Sequence, residues 1–69
     1  MKLVFVETEI NEEVKVMEMD KELDKVLDVV TYIDKIKVDN VVYKVDHEDI
    51  LYDFDKNELD VTVEFLLEI

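Results

Sequence analysis

Every turn in this chain has to be made without glycine or proline, since neither occurs among its 69 residues. At ordinary usage of about 7% and 5%, losing both over this length is roughly a one-in-several-thousand event. Glycine normally occupies positions of positive φ, and asparagine is a common substitute because its short polar side chain tolerates the left-handed region. Turns are therefore expected at Asn11, Asn40 and Asn57, and the stretches between them become the candidate elements. Ala, Ser, Gln, Arg, Cys and Trp are missing as well. Apart from Thr, every residue type present is encoded with A or U in the middle codon position. That alphabet fits a strongly AT-biased gene or a deliberately restricted design.

Hydropathy patterning fills in the elements. Leu3-Val4-Phe5-Val6 is rich in β-branched and aromatic residues and predicts a first strand, followed after Asn11-Glu12-Glu13 by a returning strand over 14–19. The first strand is apolar on both faces, which predicts a central position or an interface. Leu23, Val26, Leu27, Val30 and Ile33 then recur at helical spacing. They predict a helix over 20–31, with Asp20 as N-cap and Lys35 just past the far end. Tyr32 to Val38 predicts the next strand, with Asp39-Asn40 as its turn. Val41 to Val45 predicts another, with Tyr43 and Val45 inward. After Asp46-His47-Glu48-Asp49 the inward parity shifts to Ile50, Tyr52 and Phe54, so a bulge or turn must intervene. Lys56-Asn57 ends that segment. In the last strand Leu59, Val61, Val63, Phe65 and Leu67 alternate with Asp60, Thr62, Glu64 and Glu68. The order β-β-α-β-β-β predicts one α+β domain over residues 1–69, with a mostly antiparallel sheet.

Composition excludes several functions. The chain holds 8 Lys against 20 acids, a formal charge of −12. That surplus rules out binding nucleic acid or an anionic membrane through a basic patch. With no Cys there is no disulfide framework and no thiolate metal site. The longest apolar run, Leu3 to Val6, is far short of the about 20 residues of a membrane helix, and no signal-peptide h-region follows Met1-Lys2. A soluble, cytoplasmic, non-enzymatic domain is the expectation. Ser and Cys nucleophiles are absent, no Gly-rich loop exists, and no feature selects one carboxylate pair as acid and base.

Charge is unevenly spread. Residues 1–20 sum to −4, residues 21–38 to zero, and residues 39–69 to −8, from ten acids against Lys44 and Lys56. Mutual repulsion on this scale weakens a small fold, so the acids invite a functional reading. Asp46, Glu48, Asp49, Asp53, Asp55, Glu58, Asp60 and Glu64 are the candidate partner-binding residues, presenting carboxylates where a basic partner normally meets phosphates. Outward residues on one strand repeat every about 6.6 Å. Duplex DNA offers one charge per about 1.7 Å of axis, so neighbouring strands or a homodimer would be needed to approach its density. The alternative is a solvated face that only keeps the domain soluble.

Small, very acidic chains with this alphabet and no catalytic set resemble bacteriophage host-takeover proteins that mimic DNA. Within that group, the chain is similar to acidic inhibitors of bacterial HU-type nucleoid proteins, the likeness resting on size, composition and the acidic segment Asp46 to Glu64. The resemblance implies a homodimer that occupies a basic DNA-binding surface, displaces DNA and works in the host bacterial cytoplasm without a cofactor. A phage inhibitor of another nucleic-acid enzyme, such as RNA polymerase or a CRISPR nuclease, is the neighbouring alternative.

Two metal patterns deserve weighing. Asp53, Asp55, Asn57 and Glu64 fall at loop positions 1, 3, 5 and 12 of a calcium-binding EF-hand, but Glu58 stands where the turn requires glycine. A hairpin explains the same residues. His47 beside Asp46, Glu48 and Asp49 has the makings of a divalent-ion site, although a lone histidine in an acidic turn is more often simply solvated. No metal is expected at either place. Met17 and Met19, like the helix stripe, are expected in the core.

Overall fold

A computed structural model describes residues 1–68. The elements are β1 (Lys2–Glu7), β2 (Glu12–Glu18), α1 (Leu23–Tyr32), β3 (Lys35–Val38), β4 (Val41–Asp53) and β5 (Glu58–Glu68). They form one five-stranded sheet in the order β2-β1-β5-β4-β3, with α1 on one face. Three of its four pairings are antiparallel, and the fourth, β1 with β5, is parallel. The predicted element order holds, in a mixed sheet.

The turns obey the constraint set by the missing glycine. Asn11, Asn40 and Asn57 all adopt positive φ, at 53°, 64° and 51°. Asp39 joins them at 49°, so the β3–β4 connection takes two consecutive left-handed residues. That is the geometry of a two-residue type I′ hairpin, otherwise the province of Asn-Gly.

The core lies between α1 and the sheet. Leu3 and Phe5 of β1, Leu59, Val61 and Val63 of β5, and Val45 of β4 meet Val26 and Val30 of the helix. Leu23, Leu27 and Ile33 pack at the margin of this cluster, completing the expected apolar stripe. The doubly apolar β1 is interior, flanked by β2 and β5. Its odd residues face the helix, while Val4, on the bare face, is only 2% exposed within a single chain.

Several boundaries differ from expectation. The helix starts at Leu23 rather than 20, and its N-cap is Glu22, not Asp20. Glu22 makes no side-chain capping bond; its backbone carbonyl accepts from the Val26 N–H at 3.1 Å. Asp20 sits too far upstream because the apolar face starts only at Leu23, and burial of that face fixes where helix becomes favourable. At the other end the β-branched run Val29 to Thr31 stays helical, and β3 begins at Lys35 instead of Tyr32. Tertiary packing of Val30 and Ile33 overrides local strand preference there. No basic residue lies in the last helical turn.

The last helical carbonyls are met from across the chain. His47 Nε2 lies 2.9 Å from the Ile33 carbonyl and 3.3 Å from that of Val30, so its N–H donates to the C-terminus of α1. Orphan carbonyls at a helix end need such donors. Replacing His47 with Ala should lower stability by about 1 kcal/mol, whereas His47→Gln, which keeps a donor, should lose less. Equal thermal midpoints for wild type and His47→Ala would contradict this role.

The parity switch in β4 is real. Register breaks between Val45 and Ile50, so one continuous strand carries the bulge. Val45 and Ile50 both pack towards the helix as a result. Phe54 departs from the pattern: it is 83% exposed in the β4–β5 turn, its ring edge-on to Tyr52 at a centroid distance of 4.6 Å. Phe65 is 48% exposed because β1 pairs with β5 only as far as Val63, and Leu67 is 58% exposed beyond a second register break, between Val42 and Tyr43, that leaves Leu66 unpaired and turns Leu67 to the other face. Among the described residues no helix is long and apolar enough to cross a membrane.

Candidate functional site

The β4–β5 hairpin gathers the acidic residues that the sequence singles out. The chain reverses through residues 54–57, where Asp53 Oδ1 accepts the N–H groups of Asp55 at 2.9 Å and Lys56 at 3.2 Å. This side-chain turn substitutes for the missing glycine and proline. Tyr52 Oη donates to the Asn57 side chain, which holds the left-handed residue from below. Because β5 resumes at Glu58, Glu64 lies along a strand and not at the end of a calcium loop.

Strand pairing sorts the eight acids into two groups. Asp53 is the register partner of Glu58, and Asp60 follows Glu58 on the same face, away from the helix. Asp55 adjoins them in the turn. The second group forms around the bulge. Asp46 Oδ1 accepts the Glu48 N–H at 3.0 Å, and a cleft of about 410 Å³ is lined by Lys44, Val45, Asp46, His47, Glu48 and Glu64. Asp49 is exposed beside it. β3 pairs with β4 only over Val41–Lys44, so the bulge and the remainder of β4 form the outer rim of the sheet. A rim lined with charge resists edge-to-edge pairing with other strands.

One of the eight carboxylates is poorly placed to meet a partner. Glu64 is exposed, although it opposes Lys44 across the strands. Asp60 stands between Val4 on one neighbouring strand and Leu51 on the other, and its Oδ1 is buried with no hydrogen-bond partner. Burial, first, then a side-chain hydrogen bond with Glu58 and the negative charges of Glu58 and Asp53, raise its pKa above the ordinary 3.8; Lys56 pulls it back.

The sign of the effect on stability follows. A carboxyl that binds its proton more tightly when folded contributes stability below its ordinary pKa and loses it as pH rises through the raised value. Asp60 therefore weakens the fold at pH 7 relative to pH 4. Asp60→Asn should raise stability at pH 7, with the gain shrinking towards pH 4. Denaturant titrations of both proteins at the two pH values measure it; a pH-independent difference would contradict the assignment.

Two residues escaped sequence reasoning. His47 reads from sequence as a solvated residue or, less favoured, a metal ligand, yet its ring nitrogen is engaged by carbonyls at the end of the helix. Glu7 is buried at the end of β1, where Oε2 accepts the Ile10 N–H at 2.8 Å and shapes the first turn. Its position three residues before a backbone donor at a turn was the available signal. Met17 also departs from expectation, being 40% exposed instead of part of the core.

Compared with protein-family models, curated proteins and solved structures, the chain matches none.

Proposed function

We propose that this chain is a non-catalytic DNA mimic that occupies the DNA-binding surface of a basic bacterial protein, with an HU-type nucleoid protein as the favoured partner. The observation that carries the reading is the collection of eight acids on one hairpin. From the Asp53–Glu58 pair to the Lys44–Glu64 pair β5 advances six residues, about 20 Å at about 3.3 Å per residue, so the seven acids other than Asp60 offer roughly one carboxylate per 3 Å of the hairpin. A single DNA strand offers one phosphate per about 3.4 Å of axis. The molecule's longest dimension is 33 Å, close to one turn of duplex. One copy thus supplies the charge density of one strand over less than a full turn.

A homodimer belongs to the same proposal, because two hairpins side by side approach the density of a duplex. The second apolar face of β1 points to Val4 and Val6 as the dimer contact, but Val4 is already covered within one chain, which leaves its exposed register partner Val16 as the contact residue. Light scattering on size-exclusion should report twice the monomer mass, and Val16→Lys should halve it. Monomer at high micromolar concentration would count against the dimer. The working location is the cytoplasm of the host cell.

Calorimetric titration into an HU-type protein tests the reading. Neutralising Asp53, Asp55, Glu58 and Glu64 to Asn or Gln should weaken binding stepwise, with the fold intact. Neutralising Asp24 and Asp28 on the balanced helix should matter much less. Equal losses from both groups would mean that only net charge counts.

A further inference from the structure

The helix side of the sheet is left open along one seam. Between α1 and the two edge strands runs a groove of about 420 Å³. Leu3 and Phe5 line it from β1, Met17 and Met19 from β2, and Ile33 and Ile36 from the helix end and β3. Small-molecule sites of about 300–1,000 Å³ are typically apolar with a few placed polar groups, and flexible methionines let such a wall adapt. The charge around this groove inverts that of the whole chain. Lys15 and Lys37 border it against one acid, Asp39, although acids outnumber lysines 20 to 8 overall. Lys15 is the register partner of Phe5, two residues from Met17 on the same side of β2, so a cation stands beside the apolar floor. The Debye length is about 8 Å at physiological salt, so carboxylates on the far hairpin are screened there and the nearby lysines govern what enters.

We infer that this groove binds a free medium-chain fatty acid, with the acyl chain over Leu3, Phe5 and Met17 and the carboxylate at Lys15. Lys37, exposed on the other edge strand, borders the same groove. The site is separate from the acidic hairpin, so it stands or falls independently of the proposed mimicry.

The test is titration of octanoate, below micelle formation, into protein carrying methyl-labelled methionine, read by NMR. Saturable shifts at Met17 and Met19 are expected, with octyl glucoside, a neutral amphiphile of the same tail, binding more weakly. Lys15→Glu and Lys37→Glu alter exposed side chains, and their preserved amide spectra would verify folding. Lys15→Glu should weaken octanoate roughly tenfold, equivalent to about 1.4 kcal/mol, and leave octyl glucoside unchanged. No shift at millimolar octanoate would overturn the site. Equal affinity for the neutral amphiphile would overturn the carboxylate assignment. Methionine shifts that follow protein concentration alone would mean that a second copy fills the groove, and would overturn it too.

Discussion

Replacing Leu59 with Ala should leave most of the protein unfolded at 25 °C. Leu59 is 1% exposed and sits in the middle of the sheet, in register with Leu3 on the parallel side and Tyr52 on the antiparallel side. Truncating a buried leucine removes transfer energy and leaves a cavity, costing about 2–5 kcal/mol. A core in a domain this small supplies only about 3–5 kcal/mol in total, so the loss is comparable to the whole. Leu67→Ala is the control, since Leu67 is mostly exposed and such surface changes stay within about 0.5 kcal/mol. Circular dichroism should show a coil-like spectrum for Leu59→Ala and a native one for Leu67→Ala. A cooperative melt of Leu59→Ala near that of the wild type would contradict the assignment of the core.

Glycine-free turns were the most legible feature of the sequence. With one residue type able to take positive φ cheaply, Asn11, Asn40 and Asn57 marked three reversals, and only Asp39 was added by the structure. The bulge in β4 was legible for a similar reason: apolar parity cannot change along a strand unless a residue is inserted. What could not be read depends on neighbours remote in sequence. Alternation in the sequence runs on through Phe65 and Leu67, but β1 pairing ends at Val63 and a second register break between Val42 and Tyr43 leaves Leu66 unpaired, so Leu67 leaves the face that Phe65 shares with the core. The helix N-terminus fell at Glu22 because packing of Leu23 and Val26, and not a capping side chain, decides it.

The candidate site divides in the same way. Alternation correctly directed Glu58, Asp60 and Glu64 to the face without the helix. It could not tell that Asp60 would stand between Val4 and Leu51, since that depends on the parallel pairing of β1 with β5, 56 positions apart in register. The same pairing explains why burial raises the pKa of Asp60. His47 was expected to be a solvated residue and not a metal ligand; it is exposed, and the bulge also brings its ring nitrogen to the carbonyl at the end of α1, a contact that nothing local in the sequence signals.

In the proposed mimicry, carboxylates on the β4–β5 hairpin replace phosphates on a basic partner. The most direct measurement is a gel-shift competition, in which this protein is titrated into a preformed complex of an HU-type protein with non-specific duplex at low salt. Duplex should be released completely as the acidic chain comes into excess, and the release should weaken steeply as salt is raised, because both competitors bind through counterion-linked contacts. The variant with Asp53, Asp55, Glu58 and Glu64 neutralised should release little. Duplex that stays bound at large excess in low salt would contradict the claim.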